Sequence, residues 1–275
     1  HALHMPSHIF TRLGLWDDSI ASNRASADAA KRHAAKMAPG KAAYEALHAI
    51  DYMVYAHLQL GQDAMAKALV DEVSRIEGVD SETFAAGYAL AAVPARYALE
   101  RGKWDEAAAL TLRPVGFAWA KYPYAEAITW FARTLGAARS GKIDDAKQSY
   151  EKLAAIQQAL AEKKDTYWAT QVEVQRLAAK AWIKHAKGKN DEAEQMMREA
   201  AKLEDSTEKH PVTPGSIVPA RELLADLLLE LKRPSEAVAE YEASLKVNPN
   251  RRAAMTGVER AKIKMMTRAT EAKNP

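Results

Sequence analysis

Four residues near the start of the chain have the types and spacing of a metal site. His4 and His8 stand four apart, and His48 and Asp51 stand three apart. Residues three or four apart share one face of a helix, so each pair offers two donors in one direction. Imidazole nitrogens with a carboxylate oxygen suit Zn, Cu, Fe or Ni. The same grouping suits proton transfer, because a carboxylate beside an imidazole raises its basicity. Pro6 argues against both, since a helix starting at that proline leaves His4 outside it. A plain structural or peptide-contacting role for these histidines stays open beside the metal or catalytic one.

The rest of the composition narrows the chemistry. The 275 residues contain no cysteine, which removes disulfides, thiol catalysis and cysteine-based zinc sites. Any metal must therefore rest on histidine and carboxylate. The formal net charge is +3, too close to neutral to indicate nucleic acid, and no nucleic-acid partner is expected. No run approaches 18 apolar residues, so no membrane span is expected. The compartment, cytoplasm or periplasm, stays open. There is no GxxxxGK[ST], no GxGxxG, no GxSxG and no HExxH. That leans against an enzyme, and against any cofactor other than a divalent transition metal on the histidine cluster. The opening HALHMPSHIF, without an initiator Met, reads as the interior of a longer protein.

The elements that must position these side chains are helices. Alanine, leucine, glutamate, lysine and arginine dominate, and these are the strongest helix formers. One short motif recurs at intervals of 39 to 47 residues: GLWDDSI at Gly14, GQDAMAK at Gly61, GKWDEAA at Gly102, GKIDDAK at Gly141 and GKNDEAE at Gly188. A sixth copy, KRPSEAV at Lys232, lacks the glycine. Glycine permits a sharp turn after one helix, and the acidic residue opens the next at its positive end. One such hairpin cannot bury its apolar face alone, so several must stack.

The pattern predicts helices over 6–13, 17–33, 42–60, 64–76, 82–101 (kinked at Pro94), 105–110, 125–140, 144–161, 166–187, 191–203, 219–231 and 235–246. A last helix begins at 251, and 205–216 reads as the one long loop. Aromatics Phe117, Trp119, Tyr122 and Tyr124 crowd an irregular connection, either packed beneath it or exposed as a partner anchor. His210 reads as a donor that caps the long loop or, alternatively, as a residue lining a ligand pocket.

These hairpins resemble the tetratricopeptide repeat family. The last copy carries Leu224, Ala225, Ala237, Tyr241 and the closing Pro249; the fourth carries Trp130, Gly141, Ala146 and Tyr150; the first carries Gly14 and Trp16. HALHMPSHIFTRLG and KHPVTP further resemble a group of uncharacterised bacterial proteins with such repeats, in which the HMPSHI segment lies well inside the chain. The family resemblance implies an all-α fold: a right-handed α-solenoid of about six antiparallel helix pairs, forming one domain over 1–275. Residues 251–273 would be a capping helix with a basic exposed face of Arg252, Arg260, Lys262, Lys264 and Arg268.

It also implies a concave wall lined by the first helix of each pair. His4, His8, His48 and Asp51 fall on that wall, with Tyr55 in support of a metal there. Further along come Gln59, Arg96, Phe131, Arg139, Trp182 and the acidic row Glu222, Asp226 and Glu230. That row is either a solvated face or a patch for a basic peptide. The function implied is non-catalytic capture of a protein or peptide partner by Tyr55, Gln59, Arg96, Phe131, Arg139, Trp182, Glu222, Asp226 and Glu230. The alternative is a metal-binding or metal-dependent protein centred on His4, His8, His48 and Asp51.

Overall fold

A computed structural model describes the backbone of residues 1–271 and the side chains of 1–267. Arg268 and residues 272 and 273 of the expected cap lie outside the described side chains and backbone respectively. The described residues form thirteen α-helices. They are α1 (Pro6–Leu13), α2 (Trp16–Met37), α3 (Tyr44–Gln59), α4 (Asp63–Ser74), α5 (Phe84–Glu100), α6 (Trp104–Ala108), α7 (Pro123–Arg139), α8 (Ile143–Glu162), α9 (Thr166–Ala186), α10 (Asn190–Asp205), α11 (Ala220–Glu230), α12 (Pro234–Val247) and α13 (Arg252–Glu271). Among the described residues, one isolated bridge between Ala42 and Val79 is the only extended pairing.

The repeated turns fold as their sequence requires. Gly14, Gly61, Gly102, Gly141 and Gly188 all have positive φ, between 62° and 76°. In the sixth copy Lys232 takes the same left-handed conformation at 60°, without glycine. Each turn closes an antiparallel pair, and each pair packs on the next. Ala107 lies under Gly136, where an added Cβ would meet the backbone of α6 at 2.5 Å. α5 continues through Pro94. Phe117 and Trp119 pack beneath the α6–α7 connection, where the Trp119 indole donates to the Pro114 carbonyl.

The odd-numbered helices from α3 to α11 lie side by side as an inner layer, and α13 joins that layer. α13 also touches α3, so the two ends of the array meet. At this seam the Trp16 indole donates to the Asn250 carbonyl at 3.0 Å. A Cβ on Gly14 would sit 2.4 Å from the Pro249 carbonyl oxygen, so only glycine permits the approach. The final helix, expected as a cap with an exposed basic face, meets α3 at this seam as well as α12 and α11. Arg252, at its start, is drawn in by Asp63 at 3.2 Å.

Closure leaves a hollow along the inner layer, and residues 206–219 fill much of it. The Arg96 guanidinium donates to the carbonyls of Gly215 and Ser216 at 2.7 and 2.6 Å. Tyr52 donates to the Val212 carbonyl at 2.9 Å. A loop buried this way must have its backbone groups satisfied from elsewhere, and these inner-wall side chains satisfy them. His210 stacks on Phe84, and its Nδ1 accepts from the Val212 amide. It stabilises the loop as an acceptor, not as the donor expected.

Candidate metal centre

His4, His8 and His48 converge. Their nearest ring nitrogens all lie within 4.8 Å of one another. Pro6 occupies the first helical position of α1, where its missing N–H costs nothing. The turn before it keeps helical backbone angles at Met5. His4 therefore stays on the face of His8 although it precedes the helix, and their Nε2 atoms are 3.0 Å apart. His48 comes from α3, its ring centroid 4.4 Å from that of His4. The Tyr52 ring presents edge-on geometry to all three imidazoles.

The partners of the outer nitrogens favour one tautomer of each ring. The Asn23 amide donates to the Ser19 carbonyl, which turns its Oδ1 toward His4 Nδ1 at 2.6 Å. His4 must therefore donate from Nδ1. With the Tyr52 hydroxyl proton on the Val212 carbonyl, Tyr52 accepts from His8 Nδ1 at 2.9 Å. Both Nε2 atoms then carry lone pairs, and they face each other. A proton between them would relieve the repulsion, but burial opposes it. Burial, reinforced by the neighbouring His4 and by Lys209, lowers the His8 pKa to about 4. Burial lowers that of His48 to about 3 and also depresses that of His4. At neutral pH the three rings are uncharged donors aimed at one place.

The remaining expected ligand lies elsewhere. Asp51 is buried and accepts from Arg96 Nε at 3.1 Å. Burial pushes its carboxyl up against the pull of that guanidinium. Asp51 is therefore spent on Arg96, and it does not complete the histidine set. Tyr55 does not support the set either. It lies seven residues beyond His48, about 10 Å along the helix axis, and accepts from Arg251 Nη1 at 2.8 Å. Tyr52 takes that place, one helical turn from His48. Its i, i+4 spacing could have been read from sequence. Asn23 gave no comparable signal, because the α2 hairpin partner had first to be placed.

The other expected binding residues are mostly inside. Arg96, Phe131 and Trp182 are buried. The Gln59 carbonyl oxygen accepts from the Arg252 amide. Glu222 receives Arg251 Nε at 2.6 Å and Nη2 at 2.9 Å. Arg139 lies between the Trp104 and Trp182 rings, 4.0 and 3.9 Å from their centroids. Its guanidinium reaches Asp226 and Glu230. These groups were expected to face a ligand in an open groove; closure of the array pairs them with each other and with its own loop. Glu230, 44% exposed, and Asp226 keep some access to solvent. Asp226 borders a cavity of about 730 Å³ beside Arg101, Arg252 and Arg260.

The histidines open onto a separate cavity of about 560 Å³, also lined by Met5, Arg12, Glu45, Lys209 and Val212. Lys209 Nζ donates to the carbonyls of His210 and Thr213. Burial and the neighbouring Arg12 lower its pKa to about 8.

Two segments, 174–207 and 218–251, match the tetratricopeptide repeat family model. They span α10, α11, α12 and most of α9. No curated protein matches the chain. No described helix is long and apolar enough to cross a membrane.

Proposed function

We propose that this chain is a metal-binding helical-repeat protein in which His4, His8 and His48 hold one divalent transition metal. The observation that carries this reading is the convergence of three imidazoles, with the Nε2 atoms of His4 and His8 3.0 Å apart. In a tetrahedral site with Zn–N bonds of about 2.0–2.1 Å, ligand nitrogens sit roughly 3.3 Å apart. A cation between them needs these two nitrogens to part only slightly, and His48, whose nitrogen lies within 4.8 Å of theirs, must close in as the third ligand. The hydrogen bonds from His4 to Asn23 and from His8 to Tyr52 have the form that orients metal-bound imidazoles. Three neutral nitrogens select Zn, Cu, Ni or Fe over Mg or Ca. The cavity leaves a further coordination position open to exchange.

Protein prepared without a histidine tag should contain close to one equivalent of metal by elemental analysis. At free zinc of 100 times Kd the folded state gains about 2.7 kcal/mol, so the melting temperature should rise roughly 5–10 °C over the chelated protein. His8→Ala should abolish the rise. Metal-free protein that melts identically with and without zinc would overturn the reading.

The repeat match supports a second reading, capture of a protein or peptide partner, since such repeats generally serve protein interaction. The surface for it is the mouth beside Asp226 and Glu230 rather than the filled inner wall. A lysine-rich peptide should bind there and lose about fivefold in affinity in Glu230→Gln, the scale of one exposed ion pair. Equal affinity for both forms would remove that surface from consideration.

A further inference from the structure

We infer that the cavity beside the histidines is built for a small organic carboxylate, held between the bound metal and the cations Lys209 and Arg12. The inference rests on the metal reading above. Its first ground is charge. Three neutral imidazoles leave both positive charges of a divalent metal uncompensated, and the nearest buried carboxylate in the sequence, Asp51, is held by Arg96. Two further cations, Lys209 and Arg12, line the same cavity, against the one carboxylate of Glu45. Among the described residues Arg12, in the last turn of α1, has no ion-pair partner. Positive charge gathered in one recess favours an anion, and it does so more strongly where water is partly excluded.

The second ground is shape. Lys209 is anchored through two loop carbonyls, those of His210 and Thr213, so its ammonium is held in place at the cavity wall. Met5, Ala85, Pro211 and Val212 supply an apolar wall to the same space. About 560 Å³ is the size of a small-molecule pocket, much larger than a hydroxide or a halide needs. A carboxylate group would complete the metal's coordination and meet Lys209 or Arg12, while a short hydrocarbon body would lie on Met5 and Val212. An inorganic oxyanion would use only the charged part of this surface.

Cobalt(II) separates the two levels of the claim, because its visible bands report both binding and the fourth ligand. Cobalt bands should appear on loading, and butyrate should shift them saturably, more tightly than inorganic phosphate. Arg12→Ala and Lys209→Met should each weaken butyrate at least about tenfold while leaving the cobalt bands in place. Arg12 is exposed, so its variant stands even if Lys209→Met loosens the loop. Absence of the cobalt bands overturns the metal assignment and this inference with it. Bands that form normally but ignore butyrate overturn the carboxylate pocket alone. A response equal for butyrate and phosphate, unchanged in Arg12→Ala and Lys209→Met, would also overturn it.

Discussion

Arg251→Met should destabilise the protein by about 3–5 kcal/mol, the range for removing one partner of a buried ion pair. Arg251 is fully buried at the seam, where its guanidinium meets three elements at once. Nε and Nη2 reach Glu222 on α11, Nη2 also reaches Glu100 on α5, and Nη1 reaches the Tyr55 hydroxyl on α3. Methionine fills a similar volume but leaves two buried carboxylates without their cation. The cost is that of uncompensated charge rather than of lost contact area. The melting temperature should fall by roughly 6–20 °C. Adding Glu222→Gln to Arg251→Met should recover part of the loss, because one orphaned charge disappears. A single variant that melts within a degree of the parent would mean that the two ends of the array do not meet in solution.

The seam shows where local sequence stops being informative. The turns were legible one by one: each motif glycine has the left-handed φ its position demands, and even Lys232 follows the register of the repeat. The pairing of His4 with His8 was legible too, since a spacing of four survives the helical turn before Pro6. Asp51 and Tyr55 were misplaced for a different reason. Their spacing from His48 is helical, but which neighbour claims them depends on Arg96 and Arg251, one on α5 and the other just before α13. Arg251 lies 196 residues from Tyr55 in sequence. Nothing within a window of one repeat says that the array will close, or that 206–219 will enter the hollow and take Arg96. Where an open groove was expected, the chain's own groups reach the inner side chains: Arg96 holds Asp51 and the 215–216 carbonyls, and Arg251 holds Glu222.

Burial of the histidines makes its own prediction about acid. Metal binds only to unprotonated imidazole. Three histidines of ordinary pKa, about 6.5, would each be roughly 30-fold protonated over neutral at pH 5, and a site needing all three would lose about 10⁴ in affinity relative to pH 7. Here burial holds His8 at about 4 and His48 at about 3, with His4 lowered as well. Two of the three are already free of protons at pH 5, so the loss between pH 7 and pH 5 should stay below that of one ordinary histidine, about 30-fold, far short of 10⁴. The same depression has a cost for the metal-free fold. Between pH 6.5 and the lowered values the unfolded chain takes up protons that the folded chain refuses, so the apo protein must lose stability as the pH falls through that window. Zinc competition at the two pH values, run alongside apo melts, reads both effects. A loss of affinity near 10⁴ by pH 5, with apo stability flat, would mean that the imidazoles are open to water and that α1 does not hold His4 and His8 against α3.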